Sequence, residues 1–226
     1  MEPWIGDLER AFASRVIVSY STEIPYKPIE ALDIPVYAQM LDSVRPCPKL
    51  TLVLKTGGGD VAAAYRIAKL LKASAGRFTV VLAGRVMSAG TLIALAADDI
   101  IATSNGELGP IDPSVPQQRE GNGRSEVISC EDVRLYATMC RDWFGLSPRD
   151  MPQALSLLGQ AISPTTQVTA YRAYQYVRRV AAELHRLGRP DASARRIDRI
   201  VEALVTKYPM HNHGMALPEL NALGLR

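Results

Sequence analysis

Two short stretches hold the residues whose types and spacing could do chemistry. "KTGGGDVAAAY" sets Gly57, Gly58 and Gly59 between an apolar run and an amphipathic one, and "GRVMSAG" presents Ser88 ahead of Ala89 and Gly90. Consecutive glycines permit positive φ and let another group approach the backbone closely. A phosphate loop at such a junction would need Gly-x-x-x-x-Gly-Lys-Ser/Thr, which is absent. A dinucleotide fingerprint would need a third glycine where Ala62 stands, and Asp60 would set a negative charge beside the pyrophosphate. What remains is an oxyanion hole, where a backbone N–H near a helix start stabilises developing negative charge. Ser88 is the nucleophile such a hole needs, although a serine there reads equally well as a helix N-cap.

A serine hydroxyl is a poor nucleophile without a partner to take its proton. The histidines are His185, His211 and His213, and the relevant lysines are Lys55 and Lys207. His185 falls in an arginine-rich helix and reads as a solvated face residue. Lys55 ends a strand just before the glycines and can serve the site or an ion pair. His211 is a side-chain type suited to general-base work, or else it pins the C-terminal turn. Asp112, in "LGPIDPS", can orient His211 as the third member of a triad or simply form a turn before Pro113.

The elements that position these residues alternate. "RVIVSYS" (15–21), "LTLVLK" (50–55), "RFTVVLAG" (77–84) and "DIIAT" (99–103) read as strands, the middle two buried on both faces. Ile34, Tyr37, Met40 and Leu41 recur at helical spacing, and a helix is expected over about 60–74. "MSAGTLIALAAD" is apolar all round and belongs in the interior. The order β-α-β-α-β implies a parallel sheet, so both chemical junctions lie at the carboxyl ends of neighbouring strands. Residues 104–129, rich in glycine and proline, read as a long irregular excursion. Helices follow, one with Val168, Tyr171, Tyr174, Val177, Ala181 and Leu184 along a face and one near 193–206, and the tail gives a short strand and a last helical turn.

Composition limits the function. The 226 residues are 47% hydrophobic and 22% charged with a net charge of +3, ordinary for a folded domain. Arginines such as Arg172, Arg178, Arg179, Arg195, Arg196 and Arg199 crowd 165–200, but no aromatic-interleaved motif accompanies them, so a solvated face is expected and no nucleic acid. Cys47, Cys130 and Cys140 form no CxxC, which argues against a disulfide framework and a zinc site. No apolar run reaches about 18 residues, and the N-terminus lacks a signal-peptide layout, so a cytoplasmic protein without a membrane span is expected.

"TGGGDVAAAYRIAKLL", "VMSAGTLIALAADDI", "GELGPIDP" and "HNHGMALPELNALGL" together resemble the Clp/crotonase-fold serine peptidases, closest to the serine dehydrogenase proteinase family related to signal peptide peptidase A. The resemblance covers about 15–115 and 207–225. It implies an α/β, Clp/crotonase-like (ββα) superhelix with parallel strands and a helical C-terminal part. As a single domain over 1–226, this would comprise a core of about 15–115, a helical excursion of about 130–206 and a closing segment of 207–226. Ser88 would be the nucleophile, with the N–H groups of Gly58 or Gly59 and of Ala89 lining the hole and a substrate strand lying along the glycines. The implied activity is peptide-bond hydrolysis without ATP, metal or cofactor, by a homo-oligomer (trimer, hexamer or ring) acting on a peptide or protein. The chain departs from the pattern in three places. Gly57 replaces the proline of a characteristic "TPGG". Neither the histidine of Clp-type peptidases nor the lysine of signal-peptide-peptidase-type enzymes is present at its usual position after the serine. His211 matches the histidine of a family "HDYPI" segment, with Asn212 in place of the aspartate. The alternatives are an inactive peptide-binding or scaffold homologue and a crotonase-like acyl-CoA enzyme, the latter disfavoured by the Ser88 position and by the lack of an obvious carboxylate base near the glycines.

Overall fold

The computed structural model describes residues 3–22, 26–118, 125–208 and 210–225. They fall into two compact units, residues 1–111 with 179–226 and residues 112–178.

In the first unit, helix α1 (Pro3–Phe12) precedes four parallel strands, β1 (Arg15–Tyr20), β2 (Lys49–Thr56), β3 (Arg77–Val86) and β4 (Asp99–Ala102), in the order β1-β2-β3-β4. Helices α2 (Asp33–Ser43), α3 (Val61–Ala73) and α4 (Ala89–Leu95) link successive strands. Strand β5 (Glu107–Leu108) runs parallel beside the end of β3. The alternation and parallel pairing are those expected, and the fold is α/β. Leu50, Leu52, Leu54, Phe78, Val80 and Leu82 are essentially inaccessible, which explains why β2 and β3 read as continuous apolar runs. Helix α3 starts on Asp60, whose Oδ1 accepts the Ala63 N–H at 2.6 Å, and turns Ala64, Ile67, Ala68 and Leu71 inward. All seven residues of α4 are buried, as its all-round apolarity requires.

Met40 departs from the expected core position and is 39% exposed. At about 100° per residue, Ile34, Tyr37 and Leu41 share a face while Met40 turns away from it.

The second unit contains the antiparallel pair β6 (Ser114–Gln118) and β7 (Ser125–Ser129), helices α5 (Cys130–Asp142) and α6 (Met151–Ala161), and the start of α7 (Pro164–Gly188). Its core gathers Val115, Cys130 and Ala170, with Ile128, Val133 and Tyr174 packed against them. The excursion read as irregular over 104–129 thus carries β5, β6 and β7, and its residues 119–124 lie outside the described residues. Its many turn residues masked the short β-branched runs that pair.

The face expected along α7 is also corrected. Val168 and Tyr171 are exposed whereas Val177, Ala181 and Leu184 are buried. Steps of three residues fall short of a 3.6-residue turn, so by Val177 the stripe has rotated about half a turn from Val168. His185 lies on the buried side, inaccessible to solvent, and not on the solvated face expected of it. It sits one turn after Ala181 and before Gly188, where any Cβ would meet the backbone of Ala96 and Ala97. Helix α8 (Ala194–Glu202), a π-helical turn (Ala203–Lys207) and α9 (Leu217–Leu223) complete the first unit, and Met215 bridges to Leu108.

Candidate active site

The register of β2 against β3 shifts between Leu54 and Thr56, so that Thr56 pairs with Val86. Beyond it the chain turns through Gly58 at φ +108° and Gly59 at φ +148°, conformations that glycine adopts without strain. Ile29 lines one side of this turn: its N–H donates to Gly58 O and its carbonyl accepts from Asp60 N–H, both at 2.8 Å. That parallel bridge turns the N–H and C=O of Gly59 itself away from Ile29. The Gly58 N–H donates to Thr56 Oγ1 at 3.1 Å. Among the described residues, the Gly59 N–H has no acceptor. The ring of Tyr26 lies against Gly57, with Cε2 2.6 Å from where a Cβ would stand.

Ser88 forms the other half. Its backbone, at φ +49° and ψ −110°, is outside the regions L-residues favour, and its side chain makes no capping hydrogen bond to α4. Helix α3 next door shows an ordinary cap, Asp60 being extended and bonded to Ala63. Ser88 is thus a strained, half-buried serine at a strand-to-helix junction whose hydroxyl is not used to cap the helix. Such a residue costs about 1–3 kcal/mol and persists only where its surroundings hold it. Here Met87 N–H donates to Thr56 O at 2.9 Å, Gly90 N–H to Met87 O at 2.8 Å, and Thr91 Oγ1 to Gly109 O at 2.8 Å. The two halves touch: a Cβ on Gly58 would lie 2.9 Å from Ser88 Cβ and 3.4 Å from Ala89 N. The Ala89 N–H opens α4 and, among the described residues, has no acceptor either. Two N–H groups, that of Gly59 in the glycine turn and that of Ala89 next to Ser88, therefore have no acceptor among the described residues.

The candidate bases are spread. Lys55 Nζ donates to Tyr20 Oη at 3.0 Å and lies 4.7 Å from that ring's centre, while its stem packs on Gly84. Lys207 Nζ stands 5.2 Å from the Tyr208 ring centre. His211 is exposed. His213 stacks on Tyr208 with ring centres 4.4 Å apart, and its Nε2 is 3.4 Å from Glu219 Oε1. This segment docks beside the end of β3, where Arg85 Nη2 donates to Asn212 O at 2.7 Å. Asp112 lies in the second unit, where Ser129 Oγ donates to it at 3.1 Å. Among the described residues, no group of three His, Cys, Asp or Glu is placed to hold a metal ion. Tyr26, Ile29 and Glu219 carry no motif, and Thr56, the first residue of the segment compared with "TPGG", was given no role; sequence reasoning missed all four as site residues. Only the threonine preceding the glycines offered a signal.

The parallel sheet with its glycine turn and strained serine defines a ClpP-like α/β fold. Residues 16–123 match the family described as ClpP-like SDH-type serine proteinases, which bears out the resemblance read from the motifs. Among solved structures, the chain is similar to the 1510-N membrane-bound stomatin-specific protease. A serine-to-alanine mutant of it aligns at TM-score 0.54 and 14% identity over 93% of this chain and 74% of that one. A lysine-to-alanine mutant in complex with a substrate peptide aligns at TM-score 0.52 and 16% identity, over 93% and 70%. Two uncharacterized proteins of Methanocaldococcus jannaschii are related in sequence. MJ0137 is 46% identical over 82 residues and MJ1495 is 34% identical over 124 residues, covering 35% and 50% of this chain. The chain spans 29% and 41% of the length of these curated relatives. No helix among the described residues is long and apolar enough to cross a membrane.

Proposed function

We propose that the protein is a serine endopeptidase in which Ser88 Oγ attacks the scissile carbonyl carbon. The N–H groups of Gly59 and Ala89 then receive the oxyanion, and the Ser88 proton passes to an imidazole of the closing segment. His211 is the base that the family pattern favours. His213 has the orienting carboxylate, Glu219, that a base requires. The free face of the glycine turn offers backbone groups to an extended substrate, and the solved neighbour that holds a substrate peptide supports a peptide as the substrate class. The observation that carries the reading is Ser88 itself, strained at φ +49° with its hydroxyl unused by the helix it begins.

The test is intact-mass analysis after treatment with a fluorophosphonate. One adduct is expected, mapping to Ser88 and absent from Ser88→Ala. Its loss in His211→Ala or in His213→Ala identifies the base, and its survival in both moves the base to Lys207 or Lys55. No adduct on the folded wild type would overturn the reading in favour of a peptide-binding homologue without catalysis.

A further inference from the structure

Thr56 makes three contacts at once, and each reaches a different part of the candidate site. Its carbonyl accepts the N–H of Met87, the residue before Ser88. Its hydroxyl accepts the N–H of Gly58, the residue before Gly59. Its methyl fills the notch left by Gly90 in the first turn of α4, where any Cβ would collide with it. The side chain is only 3% exposed, so the hydroxyl is a buried polar group retained for a partner, not for water.

The Gly58 contact is the informative one. At φ +108° the peptide before Gly58 could rotate, and an unclaimed Gly58 N–H would swing with it. By taking that N–H, the hydroxyl fixes the Gly57–Gly58 peptide, while the Ile29 N–H on Gly58 O holds the next peptide, the one that carries the Gly59 N–H, so the turn between them is pinned at both ends. The methyl in the Gly90 notch and the carbonyl on Met87 tie the same residue to the strand and helix that carry Ser88 and Ala89. We infer that Thr56 is a positioning residue that sets the spacing between the two oxyanion donors, Gly59 N–H and Ala89 N–H. The catalytic part of this inference rests on the peptidase reading above. The geometric part, that the hydroxyl holds the glycine turn, stands independently of it.

Two substitutions separate shape from hydroxyl: Thr56→Val keeps the branched shape and loses the acceptor, and Thr56→Ser does the reverse. Amide hydrogen exchange of Gly58 should be slow in wild type and Thr56→Ser and at least tenfold faster in Thr56→Val. The rate of fluorophosphonate labelling at Ser88 should fall about ten- to a hundredfold in Thr56→Val, less than the 10²–10³-fold of losing an oxyanion donor outright because the donor is misaligned and not removed, and recover in Thr56→Ser. Affinity for a non-cleavable peptide should change little. Equal Gly58 exchange in wild type and Thr56→Val overturns the inference, as does labelling of Thr56→Val at the wild-type rate. If both variants label slowly with unchanged Gly58 exchange, the residue acts by packing alone and the inference also fails. Should wild type take no adduct, the peptidase reading falls, and the exchange rates alone support or overturn the geometric part.

Discussion

Removing the His185 imidazole should make the protein resist acid. His185 is inaccessible to solvent, and neither ring nitrogen has a hydrogen-bond partner among the described residues. Burial lowers its pKa from 6.5 to about 4, and the positive charges of Arg189 and Arg196 push in the same direction. The unfolded chain therefore binds a proton on this side chain between pH 6.5 and 4 while the folded chain does not. Stability is complete above pH 6.5, falls as pH drops through that window, and levels off below about 4. At 1.36 kcal/mol per pKa unit, the loss attributable to this side chain is about 3 kcal/mol. Asp150 and Glu183, whose carboxyls hydrogen bonds hold below their usual range, also lose stability on acidification, at lower pH. Their contribution is common to wild type and variant and cancels in the difference. The assay is urea unfolding of wild type and His185→Leu at half-unit steps from pH 7.5 to 4. The variant should be close to wild type at pH 7.5, where it exchanges two buried unpartnered nitrogens for apolar packing. Its advantage should grow to about 3 kcal/mol at pH 4. Parallel stability curves would refute the reasoning, because they would mean that the imidazole is protonated in the folded state or lies open to water.

Three more outcomes follow from the site. Ser88→Gly should raise stability by about 1 kcal/mol while abolishing the fluorophosphonate adduct, since glycine tolerates φ +49° and alanine does not; thermal melts of Ser88→Gly beside Ser88→Ala check this. Gly58→Ala should cost about 2 kcal/mol or more and slow any labelling of Ser88, because the new Cβ meets Ser88 Cβ and the Met87 carbonyl oxygen at a φ of +108°; urea midpoints and the labelling rate read both effects. Gly57→Pro, which introduces the proline of the "TPGG" pattern, should destabilise wild type by about 1–3 kcal/mol because the Tyr26 ring occupies the space, and the loss should shrink when combined with Tyr26→Ala; a double-mutant cycle measures the coupling.

The sheet was legible because its signals are local. Buried parallel strands are apolar throughout, and a helix that is apolar on every side has nowhere to lie but the interior, so β2, β3 and α4 could be read directly. The failures lie where a local signal had to be carried over distance. A spacing of three tracks one helix face for a turn or two and has left it by nine residues, so Val168 was grouped with Val177 although they face opposite ways. His185 followed the polarity of its arginine-rich neighbours, yet burial is decided by what packs on the helix, here the backbone of Ala96 and Ala97 at Gly188. The strands β6 and β7 were hidden because pairing is a relation between two segments, and neither segment is apolar enough to announce it alone.

The site divides along the same line, and the division explains why the base is the hardest residue to read. The proposed nucleophile and its proposed hole depend on backbone conformation at two junctions, and backbone conformation leaves marks in sequence: glycines where φ is positive, and a small residue, Gly90, where Thr56 must approach. A general base leaves no such mark, because it needs only to arrive, and it can arrive from any segment that docks near the strand ends. The segment we propose for that role, which bears His211 and His213, is held by contacts to its backbone, with Arg85 on the Asn212 carbonyl and Met215 bridged to Leu108. Backbone docking of this kind fixes where the segment lies while leaving its side chains open to exchange. Glu219 then becomes the informative residue. A carboxylate that meets His213 at 3.4 Å while His211 stays exposed makes His213→Ala the sharper substitution of the two. If His213→Ala retains full labelling of Ser88 and His211→Ala does not, orientation by a carboxylate is not what selects the base, and the family pattern outweighs the geometry.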